Sequence, residues 1–303
     1  MKKEFYDALT QLTAEKNVLT DEPMKKHVTF RVGGAADYFV SPESAEEVQK
    51  IILLCKEAGM PYYILGNGSN LLVSDHGYRG VIIQIYKSMS EVSVKGELVT
   101  AQAGALLSAI AAKAAEESLT GFEFASGIPG TIGGAAVMNA GAYGGEMKDV
   151  LEQVTVLTKE GELLTLPREE LEMGYRTSRV AKNRYIVLEA VIRLRYGEQK
   201  QIRETMNELK EKRTTKQPLE YPSAGSTFKR PEGYFAGKLI EDAGLRGFQV
   251  GGAQVSEKHC GFVINKDNAT AAEVRELIRQ VSERVKANSG VTLEPEVKML
   301  GEF

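Results

Sequence analysis

Apolar and polar residues alternate along this chain in short runs, broken by a few longer stretches with helical spacing. LVTAQAG (98–104) alternates strictly, the period of a half-buried strand. PYYIL (61–65) and GVIIQI (80–85) are continuous apolar runs and predict buried strands. EQVTVLT (152–158), a Lys-Glu-Gly turn and ELLTL (162–166) predict a hairpin. YIVLEAVIRL (185–194) and GFVIN (261–265) predict further strands, and VTFRVGGAADYFV (28–40) reads as strand, glycine turn, strand. VTLEPEV (291–297) also alternates, with Val291, Leu293 and Val297 on one face and Glu294 and Glu296 on the other.

Helices are expected over 44–59, 105–118 and 235–242. The first is opened by Ser44 with Glu47 as a capping box and stopped by Gly59. Ile202, Met206 and Leu209 fall at helical spacing. Thr270 and Glu273 form a second capping box, for a helix that puts Val274, Leu277, Ile278, Val281 and Val285 on one face and ends at Gly290. Residues 210–233 carry Pro218, Pro222 and Pro231 among many charges, which places a domain boundary near 210.

Composition narrows the class. The chain has 303 residues, 43% hydrophobic and 26% charged, which excludes a disordered chain or a disulfide scaffold. A net charge of −3 argues against a dedicated nucleic-acid binder. Cys55 and Cys260 form no CxxC, and with three histidines there is no zinc-site spacing, so no metal is expected. The N-terminus lacks the apolar core of a signal peptide, and no apolar run is long enough to span a membrane, so a soluble cytoplasmic protein is expected.

Glycine carries the first chemical signal. Residues 121–145 hold 8 of the chain's 30 glycines, more than turns alone require. This segment, SGIPGTIGGAAVMNAGAYGG (126–145), and the shorter GNGSN (66–70) each follow an apolar stretch. Inward-turned backbone amides in such loops form anion nests, and two nests suit a diphosphate. Ser69, Asn70 and Thr131 could add side-chain donors, and a short helix after Pro129 would add positive potential. Gly127, Gly130 and Gly133 are spaced by three, so neither G-x-G-x-x-G nor a P-loop is present.

Other motifs are weaker alone. YRTSR (175–179) could hold an anion, yet arginines are commonly solvated. Ser226 follows Gly225 in SAGSTFKRP, as a presented hydroxyl or a plain linker serine. Glu294 and Glu296 could exchange a proton or simply face solvent. Lys210, Lys212, Arg213 and Lys216 read as a solvated face that could attract a phosphorylated substrate. His27, His76 and His259 are isolated and read as structural.

Taken in order, TFRVGG (29–34), GNGSNLLV (66–73), SGIPGTIGGAAVMNAGAYG (126–144), YRTSR (175–179), AGSTFKRP (224–231), AGKLIEDAGLRG (236–247) and LEPEV (293–297) resemble the UDP-N-acetylenolpyruvoylglucosamine reductase (MurB) family, in its shorter form. The resemblance implies an α+β fold: an FAD-binding region of the vanillyl-alcohol-oxidase (PCMH) type in two subdomains, 1–90 and 91–209, and a C-terminal α+β substrate-binding domain, 210–303. It implies non-covalent FAD, held by Gly66, Asn67, Gly68, Ser69, Asn70, Gly127, Gly130, Thr131, Gly133, Gly134 and Ala135. It implies NADPH as co-substrate and UDP-N-acetylglucosamine enolpyruvate as substrate, reduced to UDP-N-acetylmuramate for peptidoglycan.

By the same resemblance Arg176 stabilises the enolate formed on the substrate, Glu296 assists by hydrogen bonding, and Ser226 delivers the proton. Only the motif match selects Glu296 over Glu294. Tyr175, Lys229 and Lys238 are expected at the substrate, and a monomer is expected. Two other readings stand beside this one: a flavin oxidase or dehydrogenase of the same fold, and a non-catalytic nucleotide-sugar or flavin sensor.

Overall fold

The computed structural model describes residues 2–303. They gather into two compact units, neither a consecutive stretch. The first takes the N-terminal residues through Leu19, Tyr38–Asn67 and Val81–Arg213. The second takes Thr20–Asp37, Gly68–Gly80 and Thr214–Phe303.

The first unit holds helices α1 (Lys2–Leu12), α2 (Ala45–Glu57), α3 (Leu107–Glu116), α4 (Ile132–Met138), α5 (Met147–Val150), α6 (Arg179–Asn183) and most of α7 (Gln199–Lys216). Helix α7 runs unbroken through residue 210, and the chain passes to the second unit inside it, at 213/214. An antiparallel sheet runs in the order 163–167, 151–157, 186–193, 98–102, 92–95. Its hairpin and central strands are those the alternation predicts. Strand Tyr62–Leu65 pairs in parallel with residues 81–84.

Helix α2 begins where Ser44 Oγ accepts the Glu47 N–H at 3.1 Å. The box is not reciprocal: the Glu47 carboxylate takes the N–H of Glu43, one residue before the cap. Val48, Ile51, Ile52 and Cys55 fill the buried stripe, and burial pushes the Cys55 thiol up to about 12, which makes it inert at neutral pH.

The second unit packs α9 (Ala271–Ser289) on an antiparallel sheet of 249–250, 253–255 and 263–265, with α8 (Ala236–Asp242) against α9. Both sides of the Thr270–Glu273 capping box form, and all five residues of the predicted apolar face are buried. Gly290 closes α9 at φ +74°. Asp75 adds a second cap, its two carboxylate oxygens accepting the N–H groups of Ala271 and Ala272 at 2.8 and 2.9 Å. Phe30, Val32 and Leu72 belong to this unit's apolar core.

Two expected strands differ. Residues 28–34 form no strand: Arg31 turns to φ +56°, which breaks the extended run, and the strand is Ala35–Val40 alone. Residues 291–297 make one bridge, Phe228 to Pro295, because proline offers no N–H to a ladder. Regular pairing starts only at Lys298–Leu300, which lies parallel to Leu71–Val73. The strand Val18–Pro23 and helix α1 have no counterpart in the pattern reading.

Candidate functional site

The loop 66–70 links strand Tyr62–Leu65 to Leu71–Val73. Its glycines are required by close approach. A Cβ on Gly68 would stand 2.1 Å from the His27 carbonyl oxygen, at φ +64°, and one on Gly66 would stand 2.7 Å from Thr131 Oγ1. Asn67 Nδ2 donates to the Pro129 carbonyl at 2.9 Å, fastening this loop to the second glycine segment. Among the described residues, the backbone N–H groups of 66–70 have no protein acceptor. Such a run of bare donors is the chemistry an anionic diphosphate needs.

The second segment divides its glycines. The Gly133 N–H goes to the Ala103 carbonyl at 2.9 Å, and a Cβ there would press on Ala103 at 2.9 Å. The N–H of Ala135 is taken by Thr131. Those two serve packing and helix α4. Thr131 caps α4, its Oγ1 accepting the Gly134 N–H at 3.4 Å. Gly134 is exposed, and a Cβ there would meet nothing in the chain closer than 3.7 Å. The chain does not explain that glycine; a group laid against its backbone would.

Arg213 is the cation composition alone could not single out. Lys210, Lys212 and Lys216 are exposed. Arg213 is half-buried, with its Cδ and Nη1 at 3.2 and 3.4 Å from where a Cβ on Gly127 would lie. Desolvation lowers its pKa, against a smaller raising influence from Tyr143. No carboxylate pairs with it among the described residues.

Arg176 sits in a tight loop closed by two hydrogen bonds between Gly174 and Thr177, at 3.0 and 3.3 Å. Its φ is +55°, a conformation that costs about 1 kcal/mol or more for a residue with a Cβ. The guanidinium lies over the Tyr175 ring at 5.2 Å, and Nη1 donates to the Asn139 carbonyl at 3.5 Å. Asn139, at the left-handed C-cap of α4, is buried; its Nδ2 donates to the Gly174 carbonyl at 3.0 Å and to Glu146 Oε2 at 2.7 Å. It fastens the Arg176 loop to α4, the helix within the glycine segment. The signal available in the sequence was an Asn at the end of a short helix, a residue that tolerates the left-handed cap.

In the second unit, residues 227–229 run antiparallel to 294–296. The Lys229 N–H donates to the Glu294 carbonyl at 2.9 Å and the Glu296 N–H to the Thr227 carbonyl at 2.8 Å. This pairing brings the Ser226 and Glu296 segments together. Ser226 is exposed and Glu296 half-buried. The Glu294 carboxylate is an ion-pair partner of Lys229. Asn70 Nδ2 donates to the Glu296 carbonyl at 3.3 Å, and the Lys298 N–H to the Asn70 carbonyl at 3.0 Å. Lys238 pairs with Asp242, which raises its pKa, so both candidate lysines already hold a carboxylate. Tyr175 is exposed.

Two of the histidines have local tasks. His27 meets Glu22 Oε1 at 3.0 Å, and His259 Nδ1 accepts the Gly261 N–H at 3.0 Å, with burial lowering its pKa. Among the described residues no cluster of His, Cys, Asp or Glu could hold a metal, and no helix is long and apolar enough to cross a membrane.

Comparison with known proteins bears on both units. Residues 36–167 match a family model described as an FAD binding domain. Residues 217–300 match one described as the C-terminal domain of UDP-N-acetylenolpyruvoylglucosamine reductase. The chain is 57% identical over 315 aligned positions to the enzyme of that name from Agathobacter rectalis, covering 100% of each. It is 53% identical to the Geobacillus kaustophilus enzyme, over 99% of this chain and 98% of that one. Among solved structures, the Thermus caldophilus enzyme superposes with a TM-score of 0.80 at 36% identity, over 94% of this chain and 98% of that one. Phl p 4, a grass pollen allergen with glucose dehydrogenase activity, shares the fold over 64% of this chain and 44% of its own, with a TM-score of 0.51 at 12% identity.

Proposed function

The chain belongs to the UDP-N-acetylenolpyruvoylglucosamine reductase family, and from that premise we infer how its own residues carry out the reduction. The enzyme is a flavin-dependent oxidoreductase that uses NADPH to convert UDP-N-acetylglucosamine enolpyruvate to UDP-N-acetylmuramate, a peptidoglycan precursor. Its fold is α+β, with the flavin region of the PCMH type. Bound FAD supplies the hydride relay between NADPH and the enolpyruvyl double bond.

The bare N–H groups of 66–70 fit the FAD diphosphate, and Gly134 leaves room for a ligand against its backbone. When hydride reaches C3 of the vinyl ether, charge develops at C2 and spreads into the carboxylate. Arg176 offers a planar fork of donors to that carboxylate. The Ser226 hydroxyl gives its proton to C2, a transfer a weak acid can make to a strongly basic enolate when water is excluded. Glu296 helps only if protonated, since an ionised carboxylate would repel the enolate. The substrate and NADPH are both cytoplasmic metabolites, and we place the enzyme there, as a monomer.

One observation carries the site assignment: the hydrogen-bonded pairing of 227–229 with 294–296, which places Ser226 and Glu296 on adjoining segments. The test is anaerobic stopped-flow absorbance of the two half-reactions. Ser226→Ala should still let NADPH bleach the flavin but slow substrate-driven reoxidation by at least ~100-fold. Normal reoxidation would remove the proton-donor role, and a protein that cannot be reconstituted with FAD would remove the reading altogether. Arg176→Lys should lower kcat by about 10- to 100-fold, because one ammonium cannot copy the fork. Unchanged kcat and KM would exclude the carboxylate contact.

A further inference from the structure

We propose that Thr227 is a positioning residue of the reduction, fixing the spacing between the Ser226 hydroxyl and the Glu296 carboxyl. The inference rests on the roles given to those two side chains above.

Thr227 is fully buried, and each of its polar groups is engaged. Its N–H donates to the Gly261 carbonyl at 2.9 Å. Its Oγ1 accepts the Val263 N–H at 2.9 Å. Its carbonyl accepts the Glu296 N–H at 2.8 Å. One residue therefore ties the serine segment to the strand Val263–Asn265 on one side and to the glutamate segment on the other. A site that needed only packing would be filled as well by valine, since a buried hydroxyl is costly unless bonded. Here the hydroxyl is the acceptor that holds the serine segment in register with Val263.

Glu296 is gripped from its other side as well. Its carbonyl takes the Asn70 side-chain amide at 3.3 Å, so the main chain is fixed at both polar groups. Proton delivery to a carbon centre is steep in distance, and a misplacement of roughly 1 Å can cost about 100-fold. With the roles given above, flavin reduction by NADPH draws on neither the serine nor the glutamate. A loosened Thr227 should therefore damage one half-reaction and spare the other, which a general packing defect would not do.

Thr227→Ser and Thr227→Ala both lose the methyl group and differ only in the hydroxyl. In stopped-flow, Thr227→Ala should reoxidise its flavin with substrate at least ~10-fold more slowly than Thr227→Ser. Both should bleach with NADPH at the wild-type rate. Should Thr227→Ala not accumulate as folded flavoprotein, Thr227→Val keeps the volume, lacks only the hydroxyl, and is read against the wild type in the same way. Equal reoxidation rates for the pair, or NADPH bleaching slowed as much as reoxidation, would overturn the proposal. Ser226→Ala separates the levels: if it is blocked while the Thr227 pair is equal, only this inference falls; if it turns over normally, the catalytic reading falls with it.

Discussion

Backbone N–H groups project in succession at two places, and the protein treats them in opposite ways. At the start of α9 they are all met from within: Ala271 and Ala272 by Asp75, Glu273 by Thr270, and Thr270 and Gly252 by the Glu273 carboxylate. In the loop 66–70 none has a protein acceptor among the described residues. Where donors serve the fold alone, the sequence provides its own anions. Where they are left bare, in a loop whose glycines cannot be replaced without collision, they are the donors that the proposed diphosphate contact would use.

Three substitutions sharpen that contrast. The largest effect belongs to Gly68→Ala, which would drive a Cβ into the His27 carbonyl at positive φ. We expect a loss of about 3 kcal/mol or more, or no folded flavoprotein, read by urea denaturation and flavin content. Next is Gly134→Ala. Alanine favours a helix by about 1 kcal/mol over glycine, and the chain has room for it, so the apoprotein should gain stability while FAD affinity falls by about tenfold. Unchanged FAD titration would mean that no ligand approaches that backbone.

The smallest effect is at the self-sufficient end, and it depends on pH. The Thr270 and Gly252 N–H groups hold the Glu273 carboxyl below its ordinary 4.5. A carboxyl lowered on folding adds stability above its unfolded pKa and loses it as pH falls through the folded one. Glu273→Gln should cost about 1 kcal/mol at neutral pH, with the gap from wild type closing as pH falls below 4.5, and FAD affinity unchanged. A gap that persists in acid would show that charge is not what the cap supplies.

Local signals made much of the fold legible. The α9 box and stripe, the Ser44 start of α2 and the 151–167 hairpin follow from local patterns that the final packing keeps. The longer glycine segment stood out because 8 of the chain's 30 glycines crowd into residues 121–145. The 28–34 and 291–297 segments were misread because Arg31 and Pro295 interrupt extended pairing in ways alternation does not register. Arg213 and Asn139 were passed over or grouped with neighbours because their roles come from residues far along the chain, Gly127 for one and Gly174 for the other. Alternation likewise does not register that Glu294 pairs with Lys229, 65 positions away.

Asp75 reaches α9 across nearly two hundred positions, and Phe30 and Leu72 lie in the same apolar cluster as that helix. A gene fragment beginning at 214 would therefore encode a lobe without its wedge residues and without the acid that closes its longest helix. Such a piece should not survive transplantation as a cassette, so shuffling between relatives would have to exchange three separated stretches at once.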